Sequence, residues 1–216
     1  KQHALKSLPT LPESGRILDE WSNRLVQGRV ADALLLDVIE TLQAVPNLTY
    51  KPAVEKWQAK FASGDVVNRN RASLHGGDAE RGRALFTGHS VAQCIRCHKV
   101  RGEGGDAGPD LTDVVKRNPE KTREHLLESM LRPDVKIAAG FGSVSVTLDS
   151  GRVVAGTLKA EDASSITIRT SEGREVSIRK EQIDEHSSPQ SAMPSMERAL
   201  SARELRDLIE YLMSVK

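Results

Sequence analysis

One five-residue segment constrains this chain more than any other part of it. Residues 94–98 read Cys-Ile-Arg-Cys-His, and Cys94 and Cys97 are the only cysteines in the sequence. Two thiols at this spacing can add to the two vinyl groups of a haem, and His98 is then placed to bind the iron from the proximal side. The segment therefore predicts one covalently attached haem c per chain.

The same cysteines have three other interpretations: half of a zinc site, a thioredoxin-like redox pair, or two unrelated core residues. A structural zinc site needs four ligands, and the sequence has no second cysteine pair or Cys/His pair at zinc-finger spacing. A redox pair belongs in a strand–helix–strand context, which the surrounding pattern does not predict. Haem attachment is favoured because the residues on both sides also fit it.

Those flanking residues resemble class I cytochromes c. Ahead of the segment, residues 77–86 read GDAERGRALF, with Gly82 and Phe86 one turn apart, as in the first helix of that family. Behind it, residues 108–112 read GPDLT and resemble the family loop whose proline packs near the proximal histidine. The resemblance implies that Pro109 helps to orient His98.

A narrower resemblance covers residues 75–216, about two thirds of the chain. This part is similar to the haem-binding domain of the Pirellula/Verrucomicrobium type, found near the C-termini of large secreted proteins of planctomycetes and their relatives. Such domains accompany propeller-like or sugar-dehydrogenase-like regions. Because the sequence begins Lys-Gln-His without a methionine, we expect that a leader or an upstream region has been removed.

The class I resemblance also implies a sixth iron ligand, Met193, which Pro194 follows. A thioether ligand favours the reduced iron and raises the reduction potential. The alternatives are Met196, His89 and His186, because methionine also fills gaps in cores and neutral imidazole is the other common axial donor. Met130 and Met213 are expected in the core, and His75 and His125 are expected at the surface.

The C-terminal helix carries the clearest local signal. Ser201 and Glu204 form a capping box, and apolar residues then recur on one helical face. Tyr211 lies at a position that the family packs against the first helix, near Gly82 and Phe86.

Another helix is expected to open at Asn118, with Pro119 at its first position, and to end before Pro133. About sixty residues then precede Met193, which is too long for a structureless connection in a compact domain. Apolar and polar residues alternate within this stretch, so we predict an inserted module of four short strands. A small twisted sheet or an SH3/Sm-like barrel fits the pattern, and we expect it between about Gly142 and His186 without an iron ligand.

The first 75 residues carry no recognisable chemistry. The pattern predicts one amphipathic helix closed by Gly28, a second over residues 33–42, and a third that ends near Gly64. Three helices joined by short loops are typical of the last turns of an α-solenoid. Trp21 and Trp57 are interpreted as core residues of these helices. A linker is predicted over residues 63–77, because this stretch contains three glycines and scattered charge.

The expected fold class is therefore α+β: an all-α cytochrome c fold with an inserted small β module and an N-terminal helical region. The expected divisions are an N-terminal region (residues 1–75), a first cytochrome part (76–140), the insert (141–186) and a last cytochrome part (187–216).

The predicted function is electron transfer by a His/Met-ligated haem that accepts electrons from a dehydrogenase or other redox partner. The alternatives are a haem enzyme or gas or redox sensor with an open or labile sixth position, and an interaction module in which the insert is the working part. The 31 basic and 30 acidic residues provide no strong net field to recruit nucleic acid or an anionic membrane. No apolar run approaches the roughly 18–20 residues that span a bilayer.

The chemistry of attachment also bears on location. Apocytochrome thiols are joined to haem after export, so we expect a periplasmic or otherwise exported protein. The absence of further cysteines fits this expectation, because no disulfide competes for the two thiols.

Overall fold

Three clusters of buried apolar side chains organise the chain, one in its N-terminal helices, one around the Cys-Ile-Arg-Cys-His segment and one in a β sheet. The computed structural model describes residues 2–11, 13–61, 64–117 and 119–215. The structure is mixed helix and sheet, as expected. The first cluster lies among four helices: α1 (Gln2–Ser7), α2 (Gly15–Gln27), α3 (Leu35–Gln43) and α4 (Lys51–Gln58).

Of the three predicted N-terminal helices, α2 ends where expected, α3 begins two residues later and ends one residue later than expected, and α4 is shorter. Helix α1 is not among the predicted helices. Helix α2 ends at Gly28, which has a left-handed φ of 69°. Helix α4 ends at Gln58, well before Gly64, because the next residues form tighter i→i−3 hydrogen bonds. This turn folds the ring of Phe61 back onto Trp57, with 5.1 Å between the ring centroids. Trp57 is buried in the N-terminal core, as predicted. The place of these helices in a solenoid stays a prediction.

The expected linker is wrong. Ser63 lies outside the described residues, but the rest of this segment contains a short helix, α5 (Val66–Arg69), and Ala72, Ser73 and Leu74 after it are buried. Ala72 packs into the N-terminal core and Leu74 into the second cluster. The segment therefore joins two cores instead of separating them.

Two glycines in this segment are sites of close packing. A Cβ atom on Gly76 would lie 2.1 Å from the carbonyl oxygen of Ala33, and one on Gly77 would lie 2.3 Å from the carbonyl oxygen of Arg206. These glycines, which favour a linker in the sequence, instead allow the backbone of this segment to touch its neighbours on both sides.

The second cluster is built on the pair α6 (Ala79–Gly88) and α9 (Ala202–Ser214). Gly82 allows their close approach, because a Cβ there would lie 1.9 Å from the carbonyl oxygen of Asp207. Phe86 and Tyr211 meet across the pair with ring centroids 5.6 Å apart. The predicted contact of Tyr211 with the first helix is confirmed, and so is the capping box at the start of α9.

A buried ion pair joins α9 to the N-terminal helices. Asp37 of α3 and Arg206 of α9 are 0% and 1% exposed, and Arg206 Nη1 lies 2.7 Å from Asp37 Oδ2. Arg203 Nη2 lies 3.0 Å from the other carboxylate oxygen. The N-terminal helices are therefore docked on α9 through charges withdrawn from water.

Two further helices of the second cluster lie between α6 and α9 in the sequence: α7 (Val114–Arg117) and α8 (Thr122–Leu131). The expected start of α8 at Pro119 is wrong, and Asn118 lies outside the described residues. Pro119 lies in an exposed turn, and the helix begins only where Thr122 is buried, so packing determines its start. Its end before Pro133 is confirmed.

The third cluster is the core of an antiparallel six-stranded sheet. A short hairpin, β1 (Lys99–Val100) and β2 (Glu103–Gly104), precedes it in the chain. The sheet strands are β3 (Gly142–Leu148), β4 (Val153–Glu161), β5 (Ser165–Arg169), β6 (Glu175–Arg179), β7 (Ile183–His186) and β8 (Gln190–Ser191). Their order is β6-β5-β4-β3-β7, and β8 also pairs with β3.

The predicted four-strand meander is confirmed as β3 to β6, but the sheet contains two further strands that the sequence pattern does not predict. Strands β7 and β8 return to pair with β3, but their side chains are mostly exposed and lack the alternating pattern that identified the other four.

Among the helices of the described residues, none is long and apolar enough to cross a bilayer.

Candidate functional site

The two cysteines and the histidine are brought together by one tight turn. Gln93 adopts a left-handed φ of 45°, and a 3₁₀ helix then runs from Cys94 to Arg96. The backbone N–H groups of Cys97 and His98 both donate to the carbonyl oxygen of Cys94, at 3.2 and 2.9 Å. Because residues three apart lie on the same side of a 3₁₀ turn, both thiols face the same side of this segment.

The two thiols have different surroundings. Cys94 is half-buried against the second cluster, and Cys97 is exposed. Burial raises the pKa of the Cys94 thiol, and the neighbouring Cys97 adds to this. Thioredoxin-like redox pairs depend on a lowered thiol pKa, so this environment argues against that interpretation. Among the described residues, no cluster of three or more His, Cys, Asp or Glu side chains could hold a metal ion.

The imidazole of His98 is oriented by the loop behind it. Its Nδ1 lies 2.9 Å from the carbonyl oxygen of Pro109. A carbonyl only accepts hydrogen bonds, so Nδ1 carries the hydrogen and Nε2 keeps its lone pair for a metal. Gly108 packs directly on the ring, because a Cβ there would lie 2.6 Å from His98 Cε1. The arrangement is that of a histidine ligand held by a backbone carbonyl.

The backbone of the following loop wraps closely around the attachment segment. Gly105 N–H donates to the carbonyl of Ile95, and Gly108 N–H donates to that of Cys97, both at 2.8 Å. A Cβ on Gly105 would lie 1.9 Å from the carbonyl oxygen of Arg96. Only glycine fits at such a distance, so the loop and the turn form one packed unit.

Asp110 and Thr112 close this loop. The Thr112 N–H and hydroxyl donate to Asp110 Oδ1 at 2.8 and 2.6 Å, and the N–H of Arg101 donates to the same hydroxyl at 2.7 Å. The hydrogen bonds from Thr112 hold the pKa of the Asp110 carboxyl below its usual value, with smaller contributions from Arg117 and Lys99. These residues fix the chain on both sides of Pro109.

The candidate sixth ligand lies in a different environment. Met193 is half-buried at the edge of the second cluster, and its N–H donates to Ser191 Oγ at 3.1 Å. Met196 is only 4% exposed, and its N–H donates to the carbonyl of Met130 at 2.8 Å. Met196 therefore fills the core, and Met193 is the more accessible thioether of the two.

Of the two candidate histidines, His89 is hydrogen-bonded to residues near it, and His186 is exposed on a strand of the sheet. His89 Nδ1 accepts the N–H groups of Val91 and Ala92 at 3.2 and 3.0 Å, and its Nε2 lies 3.5 Å from Glu204 Oε1. His186 lies exposed on β7. The two histidines expected at the surface, His75 and His125, are half-buried, and burial lowers the pKa of His125.

Sequence reasoning overlooked three residues that shape this site. They are Gly108 on the His98 ring, and the pair Asp110 and Thr112. Gly108 begins the GPDLT run, so a glycine directly before an orienting proline was a usable signal. The Asp-x-Thr spacing is also typical of a side chain that bonds to the backbone two residues on.

The arrangement agrees with the comparison to known families. Residues 79–132 match the family model described as Cytochrome c. The chain contains a cytochrome c domain. The match covers α6, the attachment turn, the Pro109 loop and α8, and it ends before the β sheet and Met193. A search of curated proteins found no match to the chain.

A cytochrome c domain implies covalently attached haem c and an electron-transfer function. The residues present fit that group: two thiols on one side of a turn, and an imidazole with Nδ1 hydrogen-bonded and Nε2 available. Domains of this family are typically electron carriers and are usually exported.

Proposed function

We propose that this chain is an electron-transfer domain in which Cys94 and Cys97 hold the haem, His98 and Met193 are the axial ligands, and Pro109 orients the imidazole. The observation that carries the proposal is the hydrogen bond from His98 Nδ1 to the Pro109 carbonyl, which leaves Nε2 for iron. The haem, when bound, supplies a reversible one-electron iron couple.

The choice of Met193 as the sixth ligand is supported by what the other candidates do. Met196 is buried in the core, and its backbone is tied to Met130. His89 uses Nδ1 to cap the chain after α6. Of these candidates, Met193 alone combines half-burial at the edge of the second cluster with a side chain that no hydrogen bond occupies.

The domain type, partner and location extend this proposal. The resemblance over residues 75–216 supports a domain of the Pirellula/Verrucomicrobium type, with a dehydrogenase or other redox protein as electron donor. Haem attachment after export supports a periplasmic or equivalent location. The division of the chain at residues 75, 140 and 186 stays a prediction, and strand β8 extends the sheet past the last of these boundaries.

The test is the absorption spectrum of Met193→Ala, made with a cytochrome c maturation system. Wild-type protein should be low-spin when oxidised and show the weak long-wavelength sulfur-to-iron band. The variant should lose this band, bind carbon monoxide when reduced and have a lower potential, because the thioether favours the reduced iron. Met196→Ala should keep the band, although loss of a buried methionine costs about 2–5 kcal/mol of stability.

The opposite outcomes are equally clear. If Met193→Ala has a normal spectrum and Met196→Ala does not, the ligand is Met196. If the reduced wild-type protein binds carbon monoxide rapidly and stoichiometrically, and the oxidised protein has a high-spin spectrum, the domain is a haem enzyme or sensor.

A further inference from the structure

We infer that one end of the β sheet positions the sixth ligand, with Asp134 and Ser191 as the positioning residues. The inference rests on the proposed function, in which Met193 is that ligand. It gives the inserted sheet a role in ligation: the sheet sets how readily Met193 leaves the iron.

The sheet reaches Met193 through its last strand. Strand β8 ends at Ser191, two residues before Met193, and pairs with the first residues of β3, Gly142 and Ser143. Ser191 N–H donates to Asp134 Oδ1 at 2.7 Å, and Ser191 Oγ accepts the N–H of Met193 at 3.1 Å. A chain of two hydrogen bonds therefore links Asp134 to the backbone of Met193.

A second anchor lies directly after Met193. Ser195 Oγ donates to the carbonyl of Leu131 at 2.8 Å, and the N–H of Met196 donates to the carbonyl of Met130 at 2.8 Å. Both acceptors are in the last turn of α8, and Asp134 follows that turn by three residues. Met193 thus lies on a short span whose two ends are fixed to the same end of α8.

The two anchors differ in burial. Met196 and Met130 are 4% and 7% exposed, so the hydrogen bond between them places the second anchor in the core, although Ser195 beside it is exposed. Asp134 is exposed and Ser191 is half-buried, so the first anchor lies at the surface. A buried anchor opens only with the core, whereas a surface hydrogen bond exchanges with water. Release of Met193 therefore begins at the Asp134–Ser191 contact.

The experiment measures how easily an added ligand displaces Met193 in the full-length ferric holoprotein. Imidazole binds only when the sixth position is free, so its apparent affinity rises with the fraction of molecules in which Met193 is detached. Asp134→Ala removes the acceptor of Ser191 N–H and should increase apparent imidazole affinity about fivefold, the effect of one lost hydrogen bond to a charged, exposed group. Exchange of the Met193 amide hydrogen should become faster by a similar factor.

Two variants serve as controls. Asp134→Asn keeps an oxygen acceptor at the same place and should restore most of the wild-type imidazole affinity. Asp149→Ala removes another exposed carboxylate, in the turn after β3 at the opposite end from β8, and should leave that affinity unchanged.

The outcomes separate this inference from the proposed function. If Met193→Ala keeps the sulfur-to-iron band, the proposed ligation fails. If Met193→Ala loses the band but Asp134→Ala has wild-type imidazole affinity, ligation stands and the positioning role is overturned. Equal effects of Asp134→Ala and Asp149→Ala would also overturn it, because the sheet would then act only through overall stability.

Discussion

Around His98 the stabilising contacts close over short stretches of chain, whereas around Met193 they join residues far apart in the sequence. The bond from His98 to Pro109 spans 11 residues. On the methionine side, Ser191 and Asp134 are 57 residues apart, and Ser195 and Leu131 are 64 apart. The histidine side is also dense with glycines in close contact, and the methionine side has a surface hydrogen bond next to a buried one.

This difference has a physical consequence. Short loops cost less conformational entropy to close, so the attachment turn and the Pro109 loop can form from their own residues. The methionine side forms only after α8 and the sheet are in place. The histidine side is thus suited to permanent attachment, and the methionine side is the one whose ligation the rest of the fold can adjust.

The largest expected effect is the complete loss of covalent attachment when both Cys94 and Cys97 are replaced by alanine. In the native chain, haem should stay with the polypeptide through denaturation and acid-solvent extraction, and in the double variant it should be extracted completely. Met193→Ala should retain its haem under the same treatment. Extraction of haem from the native protein would contradict the attachment and with it the asymmetry between the two sides.

The second prediction separates long-range stability from ligation. Asp37→Ala removes the carboxylate 2.7 Å from the buried Arg206 and leaves only Asp207, 3.9 Å from its Nε, which typically costs about 3–5 kcal/mol in the free energy of unfolding. Chemical denaturation measures this loss, and the haem spectrum should not change, because Asp37 is in neither axial environment. The double variant Asp37→Leu/Arg206→Met should recover most of the stability. A shifted spectrum in Asp37→Ala would show that α9 docking also controls ligation.

The third prediction tests the close packing on the histidine side. In Gly108→Ala the new Cβ would lie 2.6 Å from His98 Cε1, so the ring or the loop must move. We expect a loss of about 1–3 kcal/mol, the usual cost of overpacking, and a shifted reduction potential as the ring turns. Gly88→Ala is the matched control, because its Cβ meets no atom within 4 Å, and it should be neutral or stabilising by up to ~1 kcal/mol. An unchanged potential in Gly108→Ala would mean that Gly108 does not position the ring.

The features that can be predicted from the sequence alone are those formed by short stretches of chain, as on the histidine side. The Cys-Ile-Arg-Cys-His segment, the capping box at Ser201 and strands β3 to β6 all carry local signals: a fixed spacing, a cap or an alternating pattern. The contact of Gly82 with α9 is long-range, and the family resemblance was needed to predict it. The identity of Met193 as a ligand also came from the resemblance and stays a prediction.

The remaining features have no local signal. Strand β8 is two polar residues long, and its partner β3 lies almost fifty residues earlier. The pair Asp134 and Ser191 looks like any exposed carboxylate and serine until the fold joins them. The glycines of residues 63–77 predict a linker because composition cannot distinguish a glycine in a loose linker from one in close backbone contact.

The smallest expected effect concerns the titration of Asp110, which tests whether Thr112 holds the Pro109 loop. The Thr112 hydrogen bonds lower the pKa of Asp110 below its ordinary 3.8. A carboxyl whose pKa is lower in the folded state contributes stability that is fully present above its unfolded pKa and is lost as pH falls through the folded value. For Asp110 this loss therefore falls below pH 3.8.

Thr112→Val removes the hydroxyl donor but keeps the N–H donor, so the pKa of Asp110 should rise part of the way towards 3.8. Carboxyl NMR shifts followed against pH give the midpoint in both proteins. Asp162 is the internal control: Ser164 and Ser165 lower its pKa to about 2 in the turn between β4 and β5, and the variant should leave that value unchanged. An unchanged midpoint for Asp110 would mean that the Thr112 hydroxyl does not fix the loop. The backbone hydrogen bonds of Gly105 and Gly108 would then be the short-range contacts that hold it.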